Sequence, residues 1–271
     1  MKPPITPRTY ARGSSTANTE RRTHISAALR PRIWRREFIK EELRKSSNKE
    51  KAKILQGFFK TAPGEYGHGD IFIGVCVPSI RKIAKKHKDI NLSSISQLLT
   101  SHIHEERLIA LIILVLKFDE AEADGRKKIY EFYLRNTKYI NNWDLVDLTA
   151  PNIVGRFLAD SDKKILYGFA KSKSLWERRI SIVSTFSFIR NNCFSDTLKI
   201  TRLLLADKED LIHKACGWML REVAKRDKGL VDDFLSKHCK NMPRVMLRYT
   251  IERFPEKERK AYLTVKAVKT F

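Results

Sequence analysis

The sequence predicts an all-α fold of stacked helix pairs, a HEAT-like (ARM-type) superhelical solenoid with a concave basic groove. Three observations carry that expectation. From Trp34 onward, apolar residues recur at three- and four-residue intervals, and no segment shows convincing period-two alternation. Glycine and proline are scarce, at 11 and 9 in 271 residues, which disfavours strands and tight turns. Helical segments also return in pairs at intervals of roughly 35–45 residues, as in helix-pair repeats, although self-similarity between repeats is weak.

In chain order, helices are expected over 34–46, 48–60, 78–88, 93–101, 104–118, 121–138 and 142–149. The order continues with 162–171, 174–190, 195–205, 208–226, 229–238, 242–253 and 256–266. Small polar residues able to cap a helix start mark several boundaries: Ser47 or Asn48, Asn141, Ser174, Ser195, Asp207 and Asn241. The longest apolar run, Leu108 to Leu116, follows Glu105, Glu106 and Arg107 and suits a buried helix. It falls short of the roughly 18 residues of a membrane span. One loop interrupts the pattern, Pro63-Gly64-Glu65-Tyr66-Gly67-His68-Gly69-Asp70 leading to Gly74. No strand precedes it and no G-K-[S/T] follows, so a structural turn is favoured over a phosphate cradle.

Residues 1–33 stand apart: rich in Arg, Ser, Thr and Pro, with Glu20 as the only acid. They are expected to be a disordered basic extension of a domain spanning 34–271, and a transit peptide is the competing reading. The cysteines Cys76, Cys193, Cys216 and Cys239 form no C-x-x-C pair, which fits a reduced, cytoplasmic setting. Organellar import through the tail is the other location considered.

Lys and Arg total 54 against 31 Asp and Glu, a formal charge of +23. Such an excess attracts polyanions, and without a membrane span nucleic acid is the leading partner. On the segment around Trp218, Ile212, Ala215, Cys216, Met219 and Val223 share one face. The opposite face carries Lys214, Trp218, Arg221 and Lys225. Trp218 is therefore either an aromatic platform between phosphate-binding cations or is covered by another helix. Arg81, Lys82 and Lys85 (with Lys86 and Lys88), and the pair Arg244 and Arg248, are further candidate phosphate contacts.

Trp143 and Asp147 stand at i and i+4, on one helix face. Asp144 is explained as a first-turn acid favoured by the helix dipole, but Asp147 lies too deep for that. It is a catalytic carboxylate or half of an ion pair. Arg179 falls on an apolar arc with Trp176, Ile182, Val183 and Phe186, where a charge needs a partner. It ties to Asp147, binds a phosphate, or does both. His102 and His104 form an H-x-H expected to be solvated, with no further metal ligands evident.

Four segments together carry a family resemblance: Gly74-Val75-x-Val77-Pro78-x-x-Arg81-Lys82, Asn142-Trp143-Asp144-Leu145-Val146-Asp147, Trp176-x-x-Arg179, and Lys214-Ala215-x-Gly217-Trp218-x-Leu220-Arg221-Glu222. On these the chain resembles the AlkD-like DNA alkylation repair family, HEAT-like-repeat DNA glycosylases, over roughly residues 50–255. The resemblance implies a monofunctional, monomeric glycosylase that removes cationic N3- and N7-alkylated purines from duplex DNA, with no metal and no cofactor. Asp147 looks like the catalytic carboxylate, Trp143 and Trp218 like cleft aromatics at the deoxyribose, and Arg179 like a backbone ligand. Unlike enzymes that flip the target base into a pocket, the family grips the backbone and need not enclose the base. Its first helices often supply a tyrosine, where this chain offers Phe58 and Phe59. The competing readings are a non-catalytic nucleic-acid-binding HEAT-like protein and, against the charge, a protein-interaction scaffold.

Overall fold

The computed structural model describes residues 30–265. Fourteen helices stand among them. The first seven are α1 (Arg30–Lys45), α2 (Lys49–Phe58), α3 (Val77–Lys86), α4 (Leu92–Leu99), α5 (His104–Glu120), α6 (Ala123–Arg135) and α7 (Trp143–Thr149). The rest are α8 (Lys164–Phe169), α9 (Leu175–Arg190), α10 (Ser195–Leu203), α11 (Asp210–Ala224), α12 (Lys228–His238), α13 (Arg244–Thr250) and α14 (Glu256–Thr264). The only β-type pairing among the described residues is an isolated bridge, Ile71 to Ile103. No helix there is long and apolar enough to cross a membrane. Of the extension expected at 1–33, residues 1–29 lie outside the described residues, and α1 starts at Arg30 rather than 34.

Every expected helix is present, most of them trimmed by a few residues at the ends. Asn48 and Ser174 cap as expected, accepting from the backbone N–H of Lys51 and Glu177. At the start of α7 the cap is Asn142 rather than Asn141. Ser195 is already helical, and α13 begins after Pro243 rather than beside Asn241. The larger departure follows α7. The helix was expected over 142–149, but the chain continues through a π-type turn, Ala150–Gly155, which contains Pro151, into Arg156–Leu158. Proline lacks an N–H and crowds the carbonyl four residues back, and the wider turn absorbs both defects without stopping the helix.

The packing has two layers. In one, α3, α5, α7, α9, α11 and α13 follow one another, each against the next. The even-numbered helices α4, α6, α8, α10 and α12 flank this row. The row runs in parallel register: His104 meets Asp144 across 40 residues, Arg179 meets Asp147 across 32, and Arg221 meets Glu252 across 31. Two of these separations fall just below the 35–45 residues expected from sequence and one falls within that range. Between the layers sits a continuous core including Ile109, Leu111, Ile113, Phe118, Tyr133 and Phe188, all essentially without solvent contact.

Two glycines allow backbone to approach backbone. A Cβ on Gly155 would lie 2.2 Å from the Ser184 carbonyl oxygen, so the π-turn sits hard against α9. Gly74 has φ +81°, and a Cβ there would meet the Asn48 carbonyl oxygen at 2.1 Å. Its loop is held by the buried carboxylate of Glu105, which accepts from the N–H groups of Ile73, Gly74 and Val75. The glycine-rich segment is a structural turn whose N–H groups bind the protein's own acid.

Gly74→Ala is expected to lower stability by on the order of 2 kcal/mol, from combined strain and overlap. Gly57, with open space around its Cβ position inside α2, is the contrast. Gly57→Ala should be neutral or stabilising by about 0.5–1 kcal/mol. Thermal melts of both variants check this, and equal losses would refute it.

Candidate nucleic-acid interface and active site

Arg179 is the centre of the site. Its Nε donates to Asp147 Oδ1 at 2.9 Å and its Nη2 to Oδ2 at 2.8 Å, a bidentate pair between α9 and α7. Its Nη1 donates to the backbone carbonyl of Leu211 at the start of α11. One guanidinium therefore joins three consecutive helices of the row. Arg179 is 5% exposed, whereas the Asp147 side chain keeps 20% exposure, so Asp147 is incompletely shielded from solvent. Burial pushes the Asp147 carboxyl above its ordinary value, the Arg179 charge opposing and the nearby Asp144 charge adding. Of the roles left open for Arg179, the tie to Asp147 is observed.

Trp143, one turn before Asp147, is half-buried and lies flat on Phe59 at 5.0 Å with 9° between the rings. Phe58 meets it edge-on at 5.9 Å. A tyrosine, Tyr66, stands in the glycine loop rather than on the early helices. The Tyr66 ring stands edge-on to Trp176 at 6.1 Å. Burial pushes its hydroxyl up, with Trp143 and the charge of Lys214 opposing. Tyr66 thus packs beside Trp176 and lies near Trp143 and Lys214. The sequence reading passed over it because its loop has no periodicity to say where a side chain points.

Trp218 sits elsewhere along the row. It is half-buried against Phe186 at 5.7 Å, and Arg190 covers the Phe186 ring at 4.3 Å. Trp218 and Phe186 are each two helical turns past the Leu211–Arg179 contact, a rise of roughly 10 Å. Asp147 and Trp143 form one group, and Trp218 marks a second position along the same helices.

The cations divide into paired and free. Lys214 pairs with Asp210 at 2.6 Å, Lys225 with Glu222 at 2.7 Å, and Arg221 with Glu252. Arg81, Lys82 and Lys85 are exposed on α3 and have no ion-pair partner among the described residues. Lys86 and Lys88 pair with Glu42 and Glu120. Arg248 is exposed, but Arg244 donates to the carbonyls of Leu263 and Val265 and fastens the end of α14.

His104, expected in solvent, is 1% exposed. Its Nδ1 lies 3.1 Å from Asp70 Oδ2 and its Nε2 lies 2.8 Å from Asp144 Oδ2. Arg107 donates to Asp70 Oδ1 at 2.7 Å and Asn142 donates to Oδ2 at 3.1 Å. Asp144 is therefore more than a helix-dipole acid. Burial alone would push the imidazole down, but its two carboxylates outweigh that and hold it above the ordinary histidine value. No cluster of three or more potential metal ligands occurs among the described residues. Behind Phe59 and His104, an apolar cavity of about 250 Å³ lies between α2, α3 and α5.

A model of the DNA alkylation repair enzyme family matches residues 39–254. A solved structure described as a predicted DNA alkylation repair enzyme from Enterococcus faecalis is similar with a TM-score of 0.61 at 16% identity, covering 78% of this chain and 98% of that one. The protein smu.31 from Streptococcus mutans UA159 aligns with a TM-score of 0.47 at 19% identity, over 82% of this chain and 100% of its own. No curated protein matches.

Replacing Arg179 by Met strands the Asp147 carboxylate, whose pKa then rises further above its unfolded value. The folded variant accordingly takes up a proton as pH falls, and its penalty shrinks in the same direction. The deficit against wild type should be on the order of 3 kcal/mol near pH 7.5 and smaller toward pH 5. Urea unfolding across that range measures it, and a deficit independent of pH contradicts the assignment.

Proposed function

The chain belongs to the DNA alkylation repair enzyme family, and from that premise we propose that it is a monofunctional DNA glycosylase. It hydrolyses the N-glycosidic bond of cationic N3- and N7-alkylated purines in duplex DNA. The observation that carries this reading is Asp147: a partly exposed acid, held in fixed orientation by Arg179, one turn from an aromatic cluster.

The chemistry asks little more. An N-alkylated purine already bears a positive charge and departs as a neutral base, so no general acid or Lewis acid is required. As the bond lengthens the deoxyribose gains oxocarbenium character, as in glycoside hydrolysis. Asp147 stabilises that charge and aligns the attacking water on the sugar. The face of Trp143 adds cation–π attraction, while Trp218, about two helical turns farther along, meets the duplex away from that sugar. Arg179 keeps the carboxylate from turning away. The exposed Arg81, Lys82, Lys85 and Arg248 contact phosphates along a basic groove of the helix row, and Tyr66 and Lys214 border the lesion. The protein acts as a monomer.

A non-catalytic DNA-binding protein is the second reading. It is favoured by the engagement of both Asp147 oxygens by Arg179 and by the acid partners of Lys214, Arg221 and Lys225. Release of 7-methylguanine from methylated duplex separates the two. Asp147→Asn is expected to reduce that release by on the order of 10²-fold or more while leaving duplex affinity nearly unchanged. Wild-type activity in this variant would refute the role, and no release by the wild-type protein would leave the binding reading.

The active form of Asp147 is the anion, and its folded pKa is raised. Excision should therefore fall as pH drops through a midpoint above the usual aspartate value of about 3.9. A pH series of single-turnover rates checks this, and a flat acid side would contradict it.

A further inference from the structure

We infer that His104 is a positioning residue for this site: as an imidazolium clamped between Asp70 and Asp144, it fixes the first turn of α7 and the face of Trp143. The inference rests on the glycosylase reading for its kinetic consequences, but its geometry is independent of it.

Two connections run from His104 to the site. The first is polar. Its Nε2 reaches Asp144 Oδ2 at 2.8 Å, and Asp144 is the second residue of α7, immediately after Trp143. Asp144 Oδ1 in turn accepts from the Leu145 N–H at 2.8 Å. Asn142, the cap of α7, is held by the same cluster through its bond to Asp70. The second connection is a ring stack. His104 lies on Phe72 at 4.4 Å and 22°, Phe72 on Phe59 at 4.8 Å and 24°, and Phe59 on Trp143 at 5.0 Å and 9°. Cap, first-turn acid and indole thus converge on one buried ring.

The charge state decides whether the clamp holds. The groups facing His104 are Asp70 from the loop, Arg107 and Glu105 from α5, Asp144 from α7, and Lys51 from α2 across the shared cavity. Glu105 spends its carboxylate on the Ile73–Val75 backbone. The central four, Asp70, Asp144, Arg107 and imidazolium, balance to zero. A doubly protonated ring donates to both carboxylates. A neutral ring has one N–H, so one carboxylate faces a lone pair and one buried negative charge is left over. That arrangement releases either Asp70, which holds Asn142, or Asp144, which follows Trp143. It also uncovers the Asp144 charge that pushes the Asp147 carboxyl upward.

The sign follows. The imidazole value is raised in the folded protein, so its contribution is complete below the ordinary histidine value of about 6.5 and is lost as pH rises through the folded value. Excision by wild type should therefore decline on the alkaline side. His104→Gln, which has no charge to lose, should lack that limb. Its single-turnover rate should be reduced roughly 10- to 100-fold at neutral pH by misplacement of Trp143, with duplex affinity unchanged. A residue that merely stabilised the fold would lower the melting temperature and leave the shape of the profile alone.

An NMR titration of the full-length wild-type chain serves as the activity-independent arm. The ¹⁵N signals of His104 and the indole N–H of Trp143, assigned with Trp143→Phe, are followed from pH 6 to 9. The expected result is a doubly protonated ring at neutral pH and a Trp143 shift with the same midpoint. A neutral ring at pH 7, or a Trp143 signal blind to the titration, overturns the inference. So does a His104→Gln protein with the wild-type rate and profile. Should wild type release no base, the glycosylase reading fails and the titration alone decides the role of His104.

Discussion

The site depends on one guanidinium. Arg179 is stripped of water, and a buried cation survives only with a close, well-oriented acceptor set. It finds that set on two other helices: both oxygens of Asp147 and the carbonyl of Leu211. The row of parallel helices is therefore locked in register at this level, and Asp147 loses the freedom to rotate or to withdraw. The close approach at Gly155 and Ser184 fixes the same two helices farther along, so the pair is held from both sides. Structural tie and presentation of an oriented carboxylate are one arrangement seen from two directions.

Much of this was legible in the sequence because helical periodicity is local. Spacing alone put Trp143 and Asp147 on one face, and the placement of Arg179 on an apolar arc announced a charge in search of a partner. What escaped were contacts made over long sequence separations by residues without periodic context. Tyr66 sits in a loop whose far end, Ile73–Val75, is held by Glu105 through bonds spanning 30 to 32 residues. His104 looked like a solvated residue before an acidic helix start, since its carboxylates lie 34 and 40 residues away. The continuation beyond residue 149 has another cause. Proline ordinarily interrupts a helix, and here the wider turn that carries the chain through Pro151 is packed against α9 at Gly155 and Ser184. The extension at 1–33 offers no comparison beyond the start of α1.

The basic stripe on α11 shows where composition misleads. Lys214, Arg221 and Lys225 share a face, as spacing required, yet each has an acid within reach. Two of those acids, Asp210 and Glu222, were visible at i,i+4 and i,i+3 spacing. Glu252 was not, because it arrives from the end of α13. The excess of +23 is thus not concentrated on α11, and the exposed cations without an ion-pair partner among the described residues include Arg81, Lys82 and Lys85 on α3.

That distribution suits the proposed chemistry better than an unbroken positive stripe would. A glycosylase for cationic purines faces opposed demands: the DNA backbone calls for positive charge, whereas the lesion and the sugar beneath it are themselves positive. Unpaired lysines around Asp147 would favour the backbone and oppose the transition state over the same few ångströms, where the low dielectric of a half-buried cleft makes repulsion costly. Pairing Lys214 with Asp210, one turn from the Leu211 contact of Arg179, removes that penalty beside the proposed site, while cations elsewhere on the surface still attract the duplex. On this argument Asp210 belongs to the proposed function as much as the lysine it neutralises. It lessens the cationic field around Asp147, whose carboxylate, oriented by Arg179, is the group the proposed oxocarbenium sugar meets.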